Sequence, residues 1–143
     1  MNYMLAFDIS GSGMSIEKLR LDVSAINLAN MHTTRSAEGG VFKPLKVVAT
    51  SRLTPTFESS LASMSVAGVE VANVYQADTP PRMVYDPGHP DADEKGFVAY
   101  PDINPVSEMI NLITTTRAYE ANVRAMNAAK TMALKALEIG GGS

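Results

Sequence analysis

The chain has 143 residues, the length of one domain, and its 45% apolar and 19% charged content is globular rather than disordered or membranous. A formal charge of −3, with the basic residues dispersed, leaves no electrostatic footprint for nucleic acid. The absence of cysteine excludes disulfides, thiolate metal sites and a cysteine nucleophile.

No apolar run approaches the roughly 20 residues that span a bilayer. The first residues carry no basic n-region and Asp8 interrupts their apolar stretch, so no secretory signal peptide is expected. From Leu5 to Asn30 the positions Leu5, Ile9, Ser12, Ile16, Leu19, Val23, Ile26 and Asn30 are spaced 4-3-4-3-4-3-4. That spacing is a heptad seam and predicts a long amphipathic helix. Gly11 and Gly13 weaken its start and leave open a short first turn divided from the main helix near Met14. Asn30 reads as a residue at the helix end, with a register-setting polar seam position as the alternative.

Residues 31–40 are polar and end in paired glycines, which predicts a loop. Val41–Thr50 and Leu53–Phe57 are β-rich, each punctured by a proline, and proline confines a strand to an edge or a bend. Ser59–Ser65 reads as loop. Val66–Tyr75 alternates, placing Val69 and Val71 on one face. Arg82–Tyr85 and Phe97–Tyr100 are short strands around a turn-rich loop. This middle region is too small for a strong core of its own.

The last element is the clearest. Asn104 is a good N-cap, Pro105 suits the first helical position, and Glu108 sits near the positive dipole end. The helix is expected to reach Ile139 and to stop at Gly140. Its seam reads Met109, Leu112, Thr116, Tyr119, Val123, Met126, Lys130, Ala133 and Leu137, with Val106, Ile110 and Ile113 widening the apolar face at the start. The fold class is mainly α with a small β insert. Long N- and C-terminal helices form a coiled-coil-like domain, and the middle is irregular and β-rich. In chain order this gives an N-terminal helical segment at residues 1–33, an insert at 34–103 and a C-terminal helical segment at 104–143.

Catalytic chemistry has little support. His32 and His89 are far apart and hold no metal-ligand spacing with another His. Gly11-Ser12-Gly13 follows no strand and is no nucleotide-binding loop. Asp91–Asp102 matches a calcium loop at Asp91, Asp93, Gly96 and Val98, but fails at Lys95 and ends on the shorter Asp102. A rigid turn-rich loop is the simpler reading. The chain is therefore expected to be no enzyme and to need no cofactor, metal or small-molecule substrate. The alternative to an assembly subunit is a binding module, a helical hairpin with a small β-domain that holds calcium at 91–102.

Three blocks carry a family resemblance. The first is FDISGSGMS from Phe7 with LRLDVSAINLAN from Leu19. The second is PPRMVYDPGHPDADEKGFVAYPDINP from Pro80. The third is EMI at Glu108, TRAYEANVRAMN from Thr116 and KALEIG from Lys135. Together they resemble the flagellar basal-body rod proteins, and the second block is similar to the proximal-rod type. Met31 and His32 depart from the family's usual Ala-Asn, at a position just past the helix.

The resemblance implies a structural subunit whose terminal helices build an inner helical domain of the rod. It implies helical assembly with itself or with other rod proteins and the basal-body adaptor. It also implies passage through the flagellar type III export apparatus without a cleaved signal peptide, to a periplasm-spanning rod. The subunit-interface residues expected on that basis are Leu5, Ile9, Ile16, Leu19, Val23, Ile26, Asn30, Met109, Leu112, Ile113, Tyr119, Val123, Met126 and Leu137. The family-specific loop is Tyr85, Asp86, Pro87, Gly88, His89 and Pro90. Stripes of this width lack enough partners within one chain, so the helices are expected to order fully only on assembly.

Overall fold

A computed structural model describes residues 3–37, 39–52 and 68–140. Helix α1 spans Tyr3–Ala29, strands β1 and β2 span Leu45–Arg52 and Gly68–Gln76, β3 and β4 span Arg82–Tyr85 and Phe97–Tyr100, and helix α2 spans Pro105–Gly140. The helices are about 40 and 54 Å long at 1.5 Å per residue. Mainly α with a small β insert is thus the observed class. The expected strand at Leu53–Phe57 and loop at Ser59–Ser65 lie outside the described residues.

Helix α1 runs without a break through Gly11 and Gly13, so the division that the glycines left open near Met14 does not occur. The two glycines lie where α2 passes close by. A Cβ on Gly13 would come within 3.0 Å of the Asn122 side chain, and one on Gly11 would meet Met126 Cε at 3.8 Å. Strand β1 begins at Leu45, immediately after Pro44, because proline has no N–H to donate to a ladder. Asn104 Oδ1 accepts from the Val106 and Ser107 amides at 3.0 and 3.3 Å, so the expected N-cap of α2 is in place.

β1 and β2 form one two-stranded sheet and β3 and β4 another. β3 and β4 are antiparallel, with Val84 opposite Val98 and Tyr85 opposite Phe97. Val98 is fully buried while Tyr85 and Phe97, on the other face, meet edge to face at 5.4 Å. β2 departs from its alternating pattern, since Val69, Val71, Val74 and Tyr75 are all exposed.

The chain divides into two compact units. The first joins Met1–Leu19, Val48–Asn73 and Thr114–Ser143. Its α1 and α2 portions run antiparallel, since stepping from Gly13 back to Gly11 moves the neighbour from Asn122 forward to Met126. Ile16, Thr115 and Ala129 are buried in it. The second unit joins Arg20–Val47 and Val74–Ile113, and buries Val23, Asn27, Ala77, Val98 and Pro101.

Candidate assembly surface

Two junctions position α1 against the β-region. In the first unit, Ser12 Oγ donates to Ile9 O at 2.9 Å and accepts from Val69 N–H at 3.2 Å, tying the start of β2 to α1. In the second unit, Asn27 lies on the last turn of α1 and is 3% exposed. Its Nδ2 donates to Leu45 O at 2.9 Å and its Oδ1 accepts from Leu45 N–H at 2.8 Å. The amide copies the pairing a neighbouring strand would offer and satisfies both polar groups of Leu45. Ala77 N–H then donates to Pro44 O at 2.7 Å, which holds the segment after β2 beside the entry to β1. Lys43 reaches Asp78 at 2.8 Å, and that hydrogen bond holds the exposed Asp78 carboxyl below its ordinary value.

The two seams are only partly inward. On α1, Ile16 and Val23 are buried, Leu5, Leu19 and Asn30 are half-buried, and Ile9 and Ile26 are exposed. Asn27, not Ile26, holds the buried position. Asn30 closes the helix, its Nδ2 donating to Ile26 O at 2.9 Å and its Oδ1 accepting from Thr33 at 3.2 Å. On α2 the inward stripe is Thr115, Tyr119, Asn122, Met126, Ala129 and Ala133. The seam read from the sequence placed Thr116 and Lys130 inward, and both are exposed. The stripe slips by one residue at each site to Thr115 and Ala129, where a small side chain permits close helix approach and a lysine would lose its hydration. Leu112 and Val123 are half-buried.

Other apolar residues of α2 are exposed. Val106, Met109, Ile110 and Ile113, one stripe at helical spacing, are 56–63% exposed, and Leu137 and Ile139 reach 71% and 83%. Isolated exposed apolar residues are normal, but a contiguous stripe marks an interaction surface. The β3–β4 face adds Met83, Tyr85 and Phe97. The sequence reading already placed Val106, Met109, Ile110 and Ile113 on the apolar face at the start of α2.

The loop expected to be family-specific is a built turn. Asp86, Pro87, Gly88 and Pro90 are exposed and His89 is half-buried. Asp93 Oδ1 accepts from the amides of Lys95 and Phe97, each at 2.8 Å, and Gly96 takes φ +80°. A Cβ there would meet Tyr85 Cε2 at 3.0 Å and Pro87 Cβ at 3.2 Å, so only glycine fits without strain. Asp91, the first position of the calcium-like pattern, gives its carboxylate to Arg35 at 2.7 Å and to Thr34 at 2.8 Å. Among the described residues no three His, Asp or Glu side chains are grouped to hold a metal ion.

Comparison with known proteins gives a consistent result. Residues 94–139 match the family model described as flagellar basal body rod FlgEFG protein C-terminal. The flagellar basal-body rod protein FlgC of Bacillus subtilis (strain 168) is 40% identical over 144 residues, covering 94% of this chain and 96% of that protein. FlgC of Escherichia coli O6:H1 is 37% identical over 134 residues, covering 94% and 95%. FlgC of Borreliella burgdorferi is 33% identical over 149 residues, covering 97% and 98%.

Proposed function

The chain belongs to the FlgC family of flagellar basal-body rod proteins, and we propose that it is a structural subunit of the proximal rod that assembles helically through its terminal helices. The observation that carries the reading is the exposed apolar stripe Val106–Ile113 on a helix whose neighbouring turns are already packed. A heterologous interface that does not close on itself yields a helical filament, and such an interface needs surfaces left over after the subunit has folded. Ile16 and Val23 hold the chain's own fold, while Ile9, Ile26, Met109, Ile113 and Leu137 meet neighbouring subunits. Segments 1–33 and 104–143 form the inner helical domain of the rod and 34–103 its insert, with the loop Tyr85–Pro90 at the insert's surface.

On this reading the chain is no enzyme. Its partners are other rod proteins and the basal-body adaptor, and it reaches a periplasm-spanning rod through the flagellar type III export apparatus without a cleaved signal peptide. The exposed ends of α2 become fully ordered when neighbours cover them. The calcium-module alternative is not favoured, because Asp91 and Asp93 are already engaged with Arg35, Thr34 and backbone amides.

The test is complementation in a strain lacking the gene. Deletion is expected to abolish rods in isolated basal bodies and swimming with them. The double variant Ile110→Asp, Ile113→Asp is expected to fold as the wild type by circular dichroism and yet restore neither. A deletion strain that still builds rods and swims sinks the proposal.

A further inference from the structure

The chain has no cysteine, so methionine is its only sulfur. The described methionine side chains divide by exposure. Met14, Met31 and Met126 are half-buried, and Met126 Cε lies against Gly11 in the packed seam. Met83, Met109 and Met132 are 51%, 56% and 49% exposed. Of these three, Met109 lies within the α2 stripe, beside Val106, Ile110 and Ile113.

A thioether is apolar and polarizable and fills an irregular interface well. It also reacts with hydrogen peroxide in its ordinary neutral state. A sulfur lone pair attacks one peroxide oxygen, the O–O bond breaks and an S–O bond forms. The second oxygen takes the spare proton and leaves as water. Sulfur loses two electrons and the peroxide gains two, giving the sulfoxide.

The product is polar where the thioether was apolar. On the free subunit, water donates to the new oxygen. Against the apolar side chains of a neighbour that oxygen has no donor, and a buried acceptor without one weakens association about tenfold or more. Once a neighbour covers Met109, peroxide no longer reaches it.

We propose that Met109 is a peroxide-sensitive contact of the unassembled subunit, and that its sulfoxide bars the α2 stripe from its neighbour. The inference rests on the reading of that stripe as an assembly surface, and adds a chemical condition to it: a reduced thioether at Met109. The block is reversible, because methionine sulfoxide reductases return the thioether.

The test begins with the purified full chain, pulsed with hydrogen peroxide at neutral pH and mapped by peptide mass. Met109 is expected to gain oxygen about fivefold faster than Met31 and Met126, or more. The deletion strain is then complemented with Met109→Leu, which cannot be oxidised, and with Met109→Gln, whose amide carbonyl stands where the sulfoxide oxygen would. Both variants are expected to match the wild type in circular dichroism. Met109→Leu is expected to restore rods, and Met109→Gln to give about tenfold fewer. In sublethal peroxide, new rods are expected to fall severalfold with the wild-type chain and to hold with Met109→Leu. Equal oxidation of Met109 and Met126 overturns the proposal, as does an equal fall in the two strains. Full rods from Met109→Gln, with Ile110→Asp, Ile113→Asp still inactive, overturn the role of Met109 and leave the stripe standing. Full rods from both overturn the stripe as well.

Discussion

Asn27 joins α1 to the β-region through a single side chain, with both amide atoms bonded to Leu45. Replacing it with alanine leaves a part-buried N–H and C=O without partners, each costing about 1–3 kcal/mol. Asn27→Ala is therefore expected to lower stability by about 2–3 kcal/mol in chemical denaturation, while Ile26→Ala, at an exposed neighbour, changes it by less than about 1 kcal/mol. Equal losses at the two positions would contradict this account. The pair also shows where hydrophobic patterning stops. Ile26 continues a heptad and looks buried, whereas the burial of Asn27 depends on a partner 18 residues away that no local period encodes. Asn104 lies at the opposite extreme: its capping bonds reach only two and three residues along, and the sequence alone placed it.

At the scale of elements, both long helices and the strands of the described β-region were legible, because each carries its own period and its own end signals. Glycine was misleading. Gly11 and Gly13 weaken a helix in isolation, but here they admit the side chains of Met126 and Asn122. The two should respond differently to substitution. Gly11→Ala adds a methyl at ordinary contact distance and is expected to stabilise by about 1 kcal/mol through helix propensity. Gly13→Leu drives a branched side chain into Asn122 and is expected to destabilise by about 1–3 kcal/mol. Thermal unfolding of both variants measures the difference, and a stabilised Gly13→Leu would refute the close approach. The α2 seam was read one residue off at Thr116 and Lys130 because both stripes share Tyr119, Met126 and Ala133 and repeat every seven residues, and the period alone does not say whether the intervening position lies three or four residues before each. Apolarity along α2 also does not separate the side that packs within the chain from the side left open.

For the whole molecule, the division into two units means that each helix contributes one portion to each unit. Packing among the described residues buries α1 positions from Ser10 to Asn27 and, on α2, Thr115 and Ala129, and leaves apolar surface at the start and end of α2. The sequence expressed that surplus as seams too wide for one chain, and the motif blocks, not the periodicity, pointed to the rod. Which seam residues turn inward depends on the partner helix and the β-region, and so awaited coordinates. The central claim is that the exposed face of α2 is reserved for neighbouring subunits. The most direct test is a density map of the assembled basal body resolved to side chains. The account predicts Val106, Met109, Ile110 and Ile113 within about 4.5 Å of a neighbouring rod subunit's apolar side chains. A map in which this subunit occupies the rod with that stripe facing solvent would contradict it.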